Sequence, residues 1–184
     1  LNTANGLYTQ FSRLPNPYRK GCVAVIAQSG GVGLSFAERL CTSGLGISKV
    51  VTTGNKLSLD EVDYLESIMD DPETDVIYVY LEDFKRGRAF SELAKNCSKP
   101  IILHKSNTSS LSHTLAQSHT AALAVDDSVV DAACSECGIL RVRSTSEALN
   151  AAKGLCLPML EGNRLAVISR SGGHAVVAAD ACAS

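Results

Sequence analysis

With 184 residues, 45% of them hydrophobic, the chain can bury one good core and a remnant of a second. A formal charge of -2 and an aromatic content of 5% argue against nucleic acid, which calls for a basic footprint or stacking platforms. No apolar run reaches membrane-span length and the first residues lack a signal-peptide pattern, while the seven cysteines are scattered, so a reduced cytoplasmic setting is expected.

Residues 1–20, with Asn2, Asn5, Gly6, Pro15, Asn16 and Pro17, show no sustained period and read as a connecting segment. Five small apolar residues, 23–27, then read as a buried strand. Gln28 to Gly33 turn the chain, and 34–40 carry apolar residues at helical spacing. Such a strand, Gly-rich turn and helix direct free backbone N–H groups at one point, a site for a phosphate or carboxylate. The same turn serves packing alone in many doubly wound domains. It is neither a P-loop nor a complete Gly-x-Gly-x-x-Gly fingerprint.

Ser43-Gly44-Leu45-Gly46 closes the first helix, 47–52 is the second strand, and Thr53-Gly54-Asn55-Lys56 is its turn. A helix from Asp60 to Met69 places Leu59, Val62, Leu65 and Ile68 on one face and ends at Asp71-Pro72. The third strand, 76–81, runs directly into Glu82-Asp83. A helix over 86–97 and a strand over 100–103 follow, and then a long polar stretch from Lys105 leads into Ser118-His119-Thr120-Ala121-Ala122-Leu123-Ala124. A connection this long is more often functional than filler. A helix over 126–136, a strand over 138–142 and a helix over 146–155, capped by Ser144 or Thr145, complete the pattern.

Five strands alternating with helices predict an α/β fold, a flavodoxin-like doubly wound parallel sheet in the order 2-1-3-4-5. The strand, Ser-Gly-Gly turn and helix start recur about 140 residues later, with Ser171, Gly172 and Gly173 matching Ser29, Gly30 and Gly31. The chain is therefore expected to hold the first strand and helix of a second, similar domain.

In such a sheet the polar residues after each strand converge on one rim. They are Gln28 and Ser29, the Thr53 to Lys56 turn, Glu82 and Asp83, and Lys105 with the loop holding His113 and His119. An anion-binding turn, a carboxylate and a histidine support phosphoryl transfer through a neutral imidazole whose tautomer the carboxylate fixes. Each residue has a plainer reading. Glu82 also suits a turn cap, His113 and His119 also suit solvated loop positions, and Lys56 and Lys105 are either substrate clamps or solvated. His104 ends an apolar strand and reads as structural. Cys134-Ser135-Glu136-Cys137 has redox or metal-ligand spacing but no second pair, so helix-end packing is the expected role and no metal site is predicted.

Five stretches, VAVIAQSGGVG at 23–33, TGNK at 53–56, Tyr80-Leu81-Glu82, Lys105-Ser106 and SHTAALA at 118–124, resemble the NDP-forming acyl-CoA synthetases of the succinyl-CoA synthetase superfamily, in family order and spacing. The resemblance implies an acid–thiol ligase that interconverts acyl-CoA, ADP and phosphate with acid, CoA and ATP. Residues 1–20 would then be the linker from a CoA-binding domain, 21–157 the first ligase-type domain, and 158–184 the start of the second. It implies that His119 is phosphorylated, that Glu82 steadies the imidazole, and that Ser29, Gly30 and Gly31 cradle the phosphate. Thr53, Gly54 and Asn55 would line the acyl or phosphate pocket, with Gln28 and Lys105 also on the substrate side. CoA, ATP or ADP and Mg²⁺ are the implied ligands. CoA-binding and ATP-grasp domains, fused or separate, are the implied partners in an oligomeric enzyme, so the segment alone is expected to be inactive. Ala121 departs from the family, which usually has glycine there. A regulatory acyl-CoA- or nucleotide-sensing domain of a protein acyltransferase is the alternative, and retention of His119 favours the ligase. A nicotinamide dehydrogenase ranks third because the dinucleotide fingerprint is incomplete.

Overall fold

The structure, a computed structural model, describes residues 1–9, 18–109, 112, 126–158, 161–162 and 164–183. Its elements are β1 (Lys20–Ala27), α1 (Gly30–Thr42), β2 (Ile47–Thr52), α2 (Glu61–Met69), β3 (Val76–Leu81), α3 (Gly87–Asn96), β4 (Ile101–Lys105), α4 (Asp127–Cys137), β5 (Leu140–Val142), α5 (Thr145–Leu155) and α6 (Gly172–Ala183). The five strands form one parallel sheet in the order β2-β1-β3-β4-β5, the predicted topology.

The apolar runs of β1 and β3 follow from burial on both faces of the sheet. All six residues of β3 and the last five of β1 are buried. Successive side chains alternate between the two faces. Val23, Val25, Ala27 and Tyr78 pack with Phe36, Ala37 and Leu40 of α1 and Ala148 and Ala152 of α5. Ala24, Ile26, Ile77, Val79 and Leu103 pack with Leu65 and Ile68 of α2, Phe90 of α3 and Val130 of α4. Burying each such Val, Leu, Ile or Phe contributes about 1.5–3 kcal/mol.

Several elements differ from expectation, each for a local reason. Helix α1 begins at Gly30, not Leu34, because Ser29 is its N-cap and accepts from Val32 N–H at 3.4 Å. Strand β4 runs on through His104 and Lys105, which pair with Tyr80 and Leu81 of β3. Ladder pairing there outweighs side-chain polarity. Strand β5 starts at Leu140 because Gly138, at φ 69°, is the left-handed cap of α4. Leu59 is 50% exposed and leaves the apolar face of α2, since the extended Asp60 that caps this helix turns the chain before it.

The first residues do more than connect. Thr3 N–H donates to the Ser48 carbonyl and Val50 N–H to that of Leu1, both at 2.9 Å, which covers the outer edge of β2. In the second copy of the repeat, α6 starts directly after Ser171, as α1 does after Ser29. Residues 164–169 are not a strand, contrary to expectation. Among the described residues no sheet neighbour supplies the ladder bonds that stabilise a strand.

Gly33 sets how closely α1 lies on β1. A Cβ there would come within 2.8 Å of Ala27 Cβ. Gly33→Ala should therefore push the helix start off the strand and cost about 1–3 kcal/mol, read as a lowered urea midpoint. An unchanged midpoint would show that the contact relaxes freely.

Candidate functional site

At the carboxyl edge of the sheet the turn after β1 meets those after β2 and β3. Gln28 N–H donates to the Tyr80 carbonyl at 2.9 Å. Thr53 N–H donates to the Ala27 carbonyl at 2.9 Å and Gly54 N–H to that of Gln28 at 3.1 Å, which straps the Thr53 turn beside the start of α1. Among the described residues nothing accepts from the N–H groups of Gly30 and Gly31, the orphan donors of a helix start. A Cβ on Gly31 would meet, among the described residues, only Ser29 Oγ, 4.0 Å away, so no described side chain crowds the Gly31 N–H. Clefts of about 350 Å³ beside Gly30 and Thr52 and about 380 Å³ over Thr53 and Asn55 share Tyr64 as a wall. Thr53 Oγ1 is buried with no partner among the described residues.

Glu82 and Asp83 lie next in the row. The Glu82 carboxylate is half-buried, and no described residue bonds to it. Its backbone is held firmly. The N–H groups of Glu82 and Asp83 both donate to Gln28 Oε1, at 2.9 and 3.2 Å. Lys105 Nζ donates to the Glu82 carbonyl at 2.7 Å and also reaches the Ser106 carbonyl. Lys56 Nζ donates to the Asp83 carbonyl at 2.7 Å.

Sequence reasoning left Lys56 between clamp and solvated residue, and the structure buries it. Its side chain is 1% exposed and lies 2.9 Å from Asp83 Oδ1 and 3.0 Å from Glu61 Oε2, whose side chain is fully buried. Lys56 adopts the left-handed conformation at φ 53°. Glu61 is the first residue of α2. Its Oε1 also accepts from the N–H groups of Lys85 and Arg86, at 2.8 and 3.3 Å. Burial, the strongest single influence on Asp83, would raise its carboxyl, but Lys56, with Gln28 and Lys105, together outweigh it and hold the group below the usual range. Burial pushes the Lys105 ammonium down, and Asp127 and Asp83 oppose that shift.

His104 is structural, as expected. Its Nδ1 lies 3.1 Å from the Tyr78 hydroxyl, and burial lowers its pKa. Tyr80, which the resemblance includes without a role, donates its hydroxyl to Ser106 Oγ at 3.0 Å and braces the start of the segment after β4. Cys134 is buried against the sheet and its thiol is pushed up to about 11 by burial, in keeping with helix packing. His113 and His119 lie outside the described residues. The ends of their segment are described. Lys105 closes β4, and Asp126 caps α4 with its first residue, Asp127, paired to Arg143 beyond β5. The segment therefore leaves and returns at the edge that carries Glu82.

A doubly wound parallel sheet that carries the turns after β1, β2 and β3 on one edge defines an α/β domain, and among the described residues the Gly30 and Gly31 N–H groups and the Glu82 carboxylate on that edge have no partner. The family described as the succinyl-CoA ligase like flavodoxin domain matches residues 20–155, and the chain belongs to that family. It is 37% identical over 185 residues to the ADP-forming acetate–CoA ligase II of Archaeoglobus fulgidus, covering 98% of this chain and 27% of that protein. It is 39% identical over 170 residues to the alpha subunit of the ADP-forming acetate–CoA ligase I of Pyrococcus furiosus, covering 91% of this chain and 37% of that subunit. A solved structure, the acetyl-coenzyme A synthetase 1 of Ca. Korarchaeum cryptofilum in complex with phosphate and ADP, superposes with a TM-score of 0.79 at 37% identity, covering 89% of this chain and 36% of that one. The chain thus spans about a quarter to a third of the length of these relatives.

Proposed function

We propose that this chain is the phosphohistidine-bearing segment of an NDP-forming acyl-CoA synthetase, an acid–thiol ligase. The complete enzyme interconverts acyl-CoA, ADP and phosphate with a carboxylic acid, CoA and ATP, in the cytoplasm. In this reading Glu82 accepts a hydrogen bond from one ring nitrogen of His119 and fixes the neutral tautomer. The other nitrogen attacks the phosphorus of an acyl phosphate. The N–P bond forms as the acyl O–P bond breaks, and the carboxylate leaves with the bonding pair. The N–H groups of Gly30 and Gly31, with Ser29, hold the phosphoryl oxygens as charge develops. The turn through Thr53, Gly54 and Asn55 lines the pocket beside them. His119 then delivers the phosphoryl group to ADP, bound with Mg²⁺ in an ATP-grasp part, and a CoA-binding part supplies the thioester.

One observation carries this reading. Among the described residues, a carboxylate without a partner and two helix-start donors without an acceptor occupy the sheet edge at which β4 ends and α4 begins, the two described ends of the segment that holds His119. The test is ATP formation by the full-length protein from acetyl-CoA, ADP and phosphate with Mg²⁺. ATP formed one-for-one with free CoA is the expected result. Saturable acyl-CoA binding without any ATP would replace the ligase with the sensing domain of a protein acyltransferase.

A further inference from the structure

The four backbone polar groups of Glu82-Asp83 are all satisfied by side chains from three other strand ends. Gln28, after β1, takes both N–H groups on one oxygen. Lys105, closing β4, takes the Glu82 carbonyl, and Lys56, after β2, takes that of Asp83, each at 2.7 Å. These three side chains belong to residues only 6%, 4% and 3% exposed. Desolvating an ammonium costs several kcal/mol, a large penalty to accept for the sake of a two-residue turn that water could solvate. The lysine charges are also largely consumed internally. Lys56 faces Glu61 and Asp83, and Lys105 faces two carbonyls, with Asp83 and Asp127 as the nearby carboxylates. The one polar group of Glu82 left without a described partner is its own carboxylate.

We infer that Gln28, Lys56 and Lys105 form a three-point clamp on the Glu82-Asp83 backbone that aims the Glu82 carboxylate, and that they act as positioning residues, not as substrate contacts. The inference rests on the ligase reading above, in which that carboxylate orients an imidazole. An orienting carboxylate acts through geometry, and a displacement of about 1 Å can cost on the order of 10²-fold in rate. Loose attachment of its backbone would spread its position over that distance. Anchoring through three strands ties the carboxylate to the most rigid part of the fold, the sheet itself.

A double-mutant cycle tests the clamp. Gln28→Met and Lys105→Met are each introduced into the full-length protein and into its Glu82→Gln variant. The rate of phosphohistidine formation from labelled ATP with Mg²⁺ is then followed at varied ATP. In the parent, each Met variant should label roughly 10- to 100-fold more slowly at saturating ATP, with KM for ATP unchanged. In the Glu82→Gln background the same substitutions should slow labelling by less than about twofold, because their effect passes through a carboxylate no longer there. Equal slowing in both backgrounds, or slowing that appears as a raised KM, would overturn the clamp and return these residues to substrate contact or general stability. Where a Met variant fails to fold, Lys105→Gln, shorter but still a donor, carries the same test. If Glu82→Gln alone labels as fast as the parent, the carboxylate leaves the mechanism and the clamp falls with it, whereas a parent that takes up no label removes the ligase reading itself. If Glu82→Gln labels slowly while the Met variants add in full, only the clamp falls.

Discussion

Lys56→Met should destabilise the folded chain by about 3–5 kcal/mol, the range for stripping one partner from a buried ion pair. The ammonium is 1% exposed and the Glu61 carboxylate beneath it has no exposure at all, so water cannot replace the lost partner. Methionine reproduces the lysine side chain as far as Cε, ending one atom short at the missing ammonium, and suffers the same strain at φ 53°. The change therefore isolates the charge and its bonds to the Asp83 carbonyl and carboxylate. Two backbone N–H groups would still hold Glu61 Oε1, which sets the loss nearer the lower end. Adding Glu61→Gln to Lys56→Met should recover part of it, because no unpaired charge then remains. Urea unfolding of the single and double variants measures both quantities. A loss below about 1 kcal/mol for Lys56→Met would show that the pair behaves like a solvated surface bridge.

The second large effect concerns chemistry and leaves stability nearly alone. Glu82→Gln keeps the size of the side chain and the backbone bonds to Gln28 and Lys105. It removes only the charge, which no described residue uses for folding. Melting should shift little, by about 0.5 kcal/mol or less. The rate of histidine phosphorylation should fall on the order of 10²-fold, since the amide neither enforces the required tautomer nor stabilises the positive imidazole. Equal labelling rates in variant and parent would remove the carboxylate from the mechanism.

The sheet order was readable because it follows from patterns that need no partner to interpret. The small β-branched run at 23–27 is fully buried, and the glycines and acidic caps marked the helix ends within a residue or two in most cases. The turns bearing Ser29, Thr53 and Glu82 were readable for the same reason, since a parallel sheet places every strand-to-helix turn on one edge. What those side chains do there was less legible. Gln28 and Lys105 look like polar residues available to a ligand until Glu82, 54 and 23 residues away, occupies their heads. Lys56 and Asp83 are 27 residues apart, and nothing local says that a lysine beside Asn55 is interior. The ends of β4 and the loss of a strand at 164–169 have the same origin. Strand formation is decided by neighbours, present for His104 and Lys105 and, among the described residues, absent for the second repeat.

Transfer of a phosphoryl group across this edge of the sheet by one imidazole is the step on which the proposed ligase activity depends. It is tested most directly by incubating the full-length protein with γ-labelled ATP and Mg²⁺, quenching in alkali, and asking whether acid-labile phosphate is retained by the parent and by His119→Asn. Label in the parent that acid releases, and none in His119→Asn, is the predicted result. Undiminished label in His119→Asn, or a parent that takes up no phosphate at all, would contradict the account.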